Sequence, residues 1–295
     1  MKKNYLFAVI AVCLWATMAT VVKMLVADFP SLETLAISAA FAFVFLLVMN
    51  CKNGEIRKMG QYGVRDYLLM AGLGFLGMFL YSALYYYGLS QLTSQEACIL
   101  NYLWPIMLVV FSVIILKEKL TAAKGGAMFC SFLGIVILST GGSAAAEGNT
   151  VMGMAACVVA AACYGLYSVL NKKVNYNQNI TMMVVWFIVA VFSAVLGLLT
   201  EEWHAVTGGQ WLGFAWLGVG TNALAYLLWA LALNGVKDTA KIANLAFLTP
   251  FLSLIVSAVV LKETIQLRAV VALVFIVGGI LVQSFYDYAK ERRKQ

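Results

Sequence analysis

Charge is what this chain has least of. Only 11% of its 295 residues are Asp, Glu, Lys or Arg, whereas a soluble domain carries roughly 25%. With 63% hydrophobic residues and a mean hydropathy of +0.90, the polar surface is too small to face water, so lipid must cover most of the exterior. Histidine occurs once and proline three times. The six cysteines (Cys13, Cys51, Cys98, Cys130, Cys157 and Cys163) show no metal-ligand spacing and read as small apolar packing residues. At membrane depth there is no pair of carboxylates, no His-Cys cluster and no serine-base arrangement, so metal or acid–base chemistry lacks its parts. The apolar runs are joined by short loops, none long enough for a soluble catalytic domain. The expectation is a protein that is not an enzyme and carries no cofactor and no metal.

What is present in quantity is uninterrupted apolar sequence. Ten windows without a charged residue each reach about 18 residues, roughly the length a helix needs to cross hydrocarbon. Runs this long argue helices rather than barrel strands, since only closed backbone structures survive in lipid. The predicted spans are 4–26, 31–50, 66–89, 93–116, 122–141, 151–170, 180–200, 211–233, 239–261 and 267–286. The fold class is therefore an all-α integral membrane protein of ten transmembrane helices.

Lys2, Lys3, Lys52, Arg57, Lys58, Arg65, Lys117, Lys119, Lys124, Lys172, Lys173, Lys237 and Lys241 fall on the side of the amino terminus, and Lys290, Arg292, Arg293 and Lys294 join them. Those are 17 of the 20 basic residues; Lys262 and Arg268 lie opposite, with Lys23 near the far end of the first helix. The positive-inside rule places both termini in the cytoplasm of a bacterial-type inner membrane. The net charge of +7 is the sum of these anchors and reads as attraction to an anionic leaflet, not to nucleic acid. Lys2 and Lys3 before an apolar run with Ala16 and Ala19 imitate a signal peptide. Cleavage would remove the repeat partner of a later helix, so the first helix is expected to stay.

That repeat is the most informative feature. Residues 103–119 read LWPIMLVVFSVIILKEK and residues 248–264 read LTPFLSLIVSAVVLKET. Leu103 pairs with Leu248, Pro105 with Pro250, and Leu116-Lys117-Glu118 with Leu261-Lys262-Glu263, all 145 residues apart, and Gly134 with Gly279 continues the register. Trp15 against Tyr164 and Lys23 against Lys172, 149 apart, give a weaker match between the first and sixth helices. The halves are 1–145 and 146–295. Five spans is an odd number, so the second copy enters the membrane upside down, the arrangement of secondary transporters with cargo held near the midplane. Pro105 and Pro250 are expected to kink the helices that contain them, and the Lys-Glu pairs to cap turns at the interface.

At these residues the chain resembles the EamA-type family of the drug/metabolite transporter superfamily, and Asn101-Tyr102-Leu103-Trp104-Pro105 is similar to the aromatic amino acid exporter branch. The resemblance implies export of aromatic amino acids or related amphiphiles through a cavity lined by helices 1, 3, 4, 6, 8 and 9.

Polar groups inside the spans are candidates for that lining, because lipid cannot hydrate them. Asn222, Tyr226 and Trp229 share one helical face, as do Tyr81 and Tyr85, Ala97, Asn101 and Trp104, and Tyr164, Tyr167 and Asn171. The predicted substrate-binding set is Trp15, Tyr81, Tyr85, Asn101, Tyr102, Trp104, Tyr164, Tyr167, Asn222, Tyr226, Trp229 and Asn244. Each could instead anchor at an interface or bond a neighbouring helix. Aromatic faces attract an ammonium, and amides can bond both ends of a zwitterion without fixed charge. Glu96 is a candidate for gating or proton coupling and Lys23 for a cargo carboxylate; Lys241 reads as snorkelling and His204 as solvated. The alternatives are a transporter of the same build with other cargo (other amino acids, cationic drugs, phosphorylated sugars), a channel, or an intramembrane enzyme. Phosphorylated cargo would need more basic residues at depth. The expected partners are a small-molecule substrate and the lipid bilayer, with no nucleic acid, and the chain is expected to be a monomer or homodimer.

Overall fold

The computed structural model describes residues 2–117, 119–139, 149–171, 174, 176–233 and 244–292. Among them every regular element is helical. Seven helical runs are long and apolar enough to cross a membrane: Lys3–Leu25, Ser31–Lys52, Val64–Gln91, Ser94–Ile115, Thr150–Asn171, Gln178–Thr200 and Gln210–Ala232. Ala122–Leu138, Leu245–Val260 and Leu267–Val282 are shorter apolar helices. The protein is thus a multi-pass helical membrane protein. Of the predicted ninth span, residues 239–243 lie outside the described residues, as do Glu118, Lys172, Lys173, Lys237 and Lys241.

Four of these runs are not uniform α-helix. The third is α3 (Val64–Gly74), a wide π-helical stretch (Phe75–Leu80) and α4 (Tyr81–Gln91). The fourth is α5 (Ser94–Asn101), a turn at Tyr102 and Leu103, and α6 (Trp104–Ile115). The run from Gln210 contains α10 (Gln210–Ala215), a second π-helical stretch (Trp216–Leu224) and α11 (Ala225–Leu233). A 3-10 turn, Asn244–Leu248, leads into α12 (Thr249–Val260). The remaining helices are α1 (Lys2–Leu25), α2 (Ser31–Lys52), α7 (Ala122–Ser139), α8 (Thr150–Asn171), α9 (Gln178–Thr200) and α13 (Leu267–Arg292).

The two prolines stand at helix starts and not inside helices. Each sits in the first turn of a helix, Pro105 after the turn at Tyr102–Leu103 and Pro250 after the 3-10 turn Asn244–Leu248. The proline ring clashes with the carbonyl four residues back and its nitrogen has no hydrogen to donate. Around Pro105 the α-helix therefore ends at Asn101 and restarts at Trp104, with Tyr102 and Leu103 forming a turn of near-helical angles between them. The repeat extends to backbone angles. Leu103 and Leu248 precede the prolines at φ −74° and −76°, and Lys117 and Lys262 end the two helices in the left-handed region at φ 55° and 57°.

The most extensive helix pairings join elements before residue 139 to elements after residue 149: α2 with α9, α7 with α13, α8 with α4 and α6, and α1 with α11 and α12. Side chains fix which ends meet. Lys23 Nζ donates to the Leu89 carbonyl (2.8 Å), and Asn149 N donates to Gln91 Oε1 (2.8 Å). The end of α1, the end of α4 and the start of α8 thus share one face, called distal here. At the opposite, amino-terminal face, Asn4 Nδ2 donates to the Ala232 carbonyl (3.2 Å).

The α2–α9 pair is tied at both ends. On the distal face the Glu201 carboxylate accepts from the backbone N–H of Leu32 (3.1 Å) and Glu33 (3.0 Å), capping α2 from another helix. Fully buried Glu33 accepts from His204 N (3.1 Å), with His204 Nδ1 at 3.6 Å. His204 is therefore engaged with a buried carboxylate, not merely solvated, because the loop after α9 folds back onto α2. On the amino-terminal face Asn177 caps α9 and donates to Glu55 Oε2 (2.8 Å). The Lys58 hydrogen bond, aided by that from Asn177, holds the Glu55 carboxyl below its usual range.

The repeat-related glycines explain the α7–α13 contact. A Cβ on Gly134 would stand 2.7 Å from the Ile276 side chain and 2.9 Å from the Ala272 carbonyl, and one on Gly279 would stand 2.9 Å from Cys130 Cβ. Each glycine lets the opposite helix approach, the small-residue packing that membrane helices rely on. Gly134→Leu is expected to cost about 1–3 kcal/mol by overpacking, read as a lowered unfolding temperature in detergent. Gly278→Ala, where the added carbon meets nothing within 4 Å, serves as the neutral comparison.

Candidate functional site

The two breaks meet. Tyr102, in the turn between α5 and α6, donates its hydroxyl to the Ala246 carbonyl in the 3-10 turn before α12 (3.0 Å). Asn101, the last residue of α5, donates from Nδ2 to the Tyr81 hydroxyl (3.0 Å). Between these segments lies a cavity of about 100 Å³. It is walled by Trp15, Met18 and Ala19 of α1, Tyr81 and Tyr85 of α4, Cys98 and Asn101 of α5, and then Tyr102, Trp104, Tyr164, Tyr226, Ala246, Thr249 and Ser253. Its wall contains no charged side chain.

The rings hold one another in place. Tyr81 stacks on Tyr85 with centroids 6.0 Å apart and meets Tyr164 at 5.0 Å; Trp104 meets Tyr164 edge-on at 5.2 Å. Across the cavity Trp15 packs edge-on against Tyr226 (5.1 Å) and tilts against Trp229 (5.4 Å). Each such pair contributes about 0.5–1.5 kcal/mol beyond the area it buries. Several polar atoms here are buried without a partner: Trp15 Nε1, Asn101 Oδ1 and, nearby, Asn222 Nδ2. Nothing in the wall pairs a nucleophile with a base. Among the described residues no group of His, Cys, Asp or Glu could hold a metal ion.

Eight of the predicted residues thus share one cavity: Trp15, Tyr81, Tyr85, Asn101, Tyr102, Trp104, Tyr164 and Tyr226. Asn222 and Trp229 line an adjoining cavity of about 360 Å³ that shares Tyr226 and runs to Gln178 and Asn179 at the amino-terminal face. Tyr167 sits behind the wall. Its ring lies where a Cβ on Gly77, in the first π-helical stretch, would fall at 2.0 Å. Asn244 opens the 3-10 turn, and its side chain lies outside the described residues.

Met18, Cys98, Ala246, Thr249, Ser253, Gln178 and Asn179 went unmarked at the level of sequence. The repeat held a signal for two of them: Ala246 and Thr249 stand 145 residues after Asn101 and Trp104.

On the distal side the cavity is closed by a chain of polar contacts. Ser94 hydrogen-bonds Ser257, and Ser257 meets Thr20 (3.1 Å). The Glu263 carboxylate accepts from the backbone N–H of Ser94 (2.9 Å) and Gln95 (3.3 Å). The cap expected of the second Lys-Glu pair is therefore placed on α5, across the repeat. A carboxylate on the first turn of a helix satisfies orphan donors and complements the dipole. Glu96 is held locally: Oε2 accepts from Thr93 N (3.2 Å) and Oγ1 (3.0 Å), and Oε1 pairs with Arg268 (3.3 Å). Lys23 is tied to Leu89 as described above.

A lipid-covered helical bundle whose polar chemistry gathers on an internal neutral cavity with one closed end has the build of a membrane transporter. The chain belongs to the EamA-like transporter family, whose profile matches twice, over residues 2–140 and 151–285. The aromatic amino acid exporter YddG of Ancylobacter novellus is 26% identical, over 92% of this chain and 93% of that one. An uncharacterized transporter of Clostridium kluyveri is 23% identical over 96% of this chain and 93% of that protein, and the uncharacterized transporter YoaV of Bacillus subtilis is 23% identical over 97% and 98%. A solved crystal structure with 21% sequence identity superposes with a TM-score of 0.70 over 97% of this chain and 98% of its own, which shows a shared fold.

The distal closure makes a testable demand. In a background where Cys98 is the sole cysteine, Glu263→Ala is expected to raise Cys98 labelling by a membrane-impermeant maleimide added to the distal side at least threefold. Loss of a hydrogen-bonded carboxylate worth roughly 1.5–3 kcal/mol is ample for that shift. Glu202→Ala, an exposed neighbour on the same face, should leave the rate unchanged.

Proposed function

We propose that this protein is a secondary transporter that exports aromatic amino acids or related small amphiphilic metabolites by alternating access. The observation that carries the reading is the central cavity: rings on opposite walls, unpartnered polar atoms between them and no charge. Aromatic faces take a ring and attract an ammonium, while neutral hydrogen-bonding groups hold the polar end loosely enough to release it. The Ancylobacter novellus relative, an aromatic amino acid exporter by name, agrees with this cargo class. A permanently cationic drug would find no carboxylate in the wall, which ranks that cargo second.

The proposed architecture is ten crossings in two five-helix halves, 1–145 and 146–295, inserted in opposite orientations. Support comes from α1 ending and α8 beginning on one face, and from the matching breaks and left-handed lysines. The basic residues gathered there support an amino-terminal face, with both termini, on the cytoplasmic side of a bacterial-type inner membrane. In that frame the vestibule at Gln178 and Asn179 faces the cytoplasm and the Glu263 clasp closes the outer side. This is the state in which an exporter loads. Release then requires Glu263 to leave α5 while the two halves rock, a motion that duplicated, inverted units can perform in either direction.

The test is flux in proteoliposomes with labelled Trp, Phe and Thr and a cationic dye, with and without a pH gradient. Saturable movement of Trp and Phe well above Thr and dye is expected. Dye movement without amino acid movement overturns the assignment of cargo. Tyr164→Ala, which removes ring contacts to Tyr81 and Trp104, is expected to raise KM for Trp about threefold to tenfold, in line with one or two lost aromatic pairs.

A further inference from the structure

We infer that the indole N–H of Trp15 is the position that receives the carboxylate of the cargo, so that the cavity selects molecules carrying an anionic end. The inference rests on the reading above that this cavity is the cargo site.

An indole nitrogen can only donate, so its role does not depend on which way a side chain is flipped. Trp15 Nε1 is buried and has no acceptor. The ring is braced by Tyr226, edge-on at 5.1 Å, and by Trp229, tilted at 5.4 Å. Its neighbours show what the chain does when no cargo is involved: Trp216 Nε1, facing the same helix α1, donates to Thr17 Oγ1 at 2.8 Å. Trp186 also has an unpartnered Nε1, but it is 2% exposed and packed among apolar residues, away from either cavity. Among the described tryptophans, Trp15 joins a buried, unsatisfied indole donor to the wall of the central cavity, beside the likewise unpartnered hydroxyls of Thr249 and Ser253.

The surroundings indicate which acceptor fits. The hydroxyls of Thr249 and Ser253 line the same cavity and can donate to a second oxygen. Neither Lys, Arg nor His lines it, so an anion there is met by neutral donors only. Hydrogen bonds to a charged acceptor are about twice as strong as neutral ones, and neutral donors leave the anion free to depart. The amino end of a zwitterion then falls to the ring faces of Tyr81, Trp104 and Tyr164. A donor-only position thereby discriminates an amino acid from its decarboxylated amine.

The experiment compares L-phenylalanine with phenethylamine, binding to purified protein by calorimetry, so the readout does not depend on transport. Trp15→Phe keeps a ring against Tyr226 and Trp229 and removes the donor. The expected result is a Kd for phenylalanine raised about tenfold, as for a lost hydrogen bond to a charged group, with phenethylamine within about twofold of wild type. Trp186→Phe is expected to change neither. In parallel, protein with 15N-labelled tryptophan should show the Trp15 indole resonance move on adding phenylalanine and stay in place with phenethylamine, a measurement that needs no folded variant. Equal weakening of both ligands, or no weakening of either, overturns the inference while leaving transport intact. Failure of wild-type protein to bind phenylalanine at all overturns the cargo reading itself.

Discussion

A backbone carbonyl or amide inside hydrocarbon must find a partner within the protein, since an unmet one costs several kcal/mol. That constraint governs the centre of this molecule. The chain departs from regular α-helix at Tyr102–Leu103 and again in the 3-10 turn at Asn244–Leu248, both in the middle of apolar sequence. Each interruption frees backbone groups, and the Tyr102 hydroxyl meets one of them, the Ala246 carbonyl of the other interruption. The breaks are therefore placed against each other, and the cavity is the space that this mutual satisfaction leaves.

The same logic explains why the cavity is neutral while its distal closure is charged. At the closure, Glu263 is matched by the backbone donors of the first turn of α5, which supply partial positive charge without a cation. In the cavity no such fixed partner exists, and a resident carboxylate or lysine would be left facing rings. Aromatic groups fill that space instead. They brace one another through contacts such as Tyr81 with Tyr164 and Trp15 with Tyr226.

Much of this was legible in the residues and some was not, for identifiable reasons. Apolar run length marks the membrane helices because hydrocarbon thickness sets it. The Pro105–Pro250 pair marked the places where the helices depart from regularity, since proline's missing donor is a local property. Whether the chain bends or breaks there depends on what receives the freed carbonyls, and Ala246 finds its donor 144 residues away. Helical spacing put Asn222, Tyr226 and Trp229 on one face, yet only Tyr226 reaches the central cavity. Periodicity gives a direction around a helix, not the depth at which its neighbour is met. Tyr167 shares a stripe with Tyr164 and still lies behind the wall, because Gly77 opens a seat for its ring on another helix. Glu263 looked like a turn cap. Its cap is on α5, a long-range contact that no local pattern encodes.

The dominant helix pairings have a consequence for how the protein is made. α2, α7, α4 and α1 each find their most extensive partner in α9, α13, α8, α11 or α12, so the portion that leaves the ribosome first enters the bilayer without the neighbours it will keep. Its grooves, among them the one floored by Gly134, stay filled with lipid chains until the later helices arrive and displace them. Each such pairing exchanges lipid contacts for protein contacts, and α13 does so when it closes on α7.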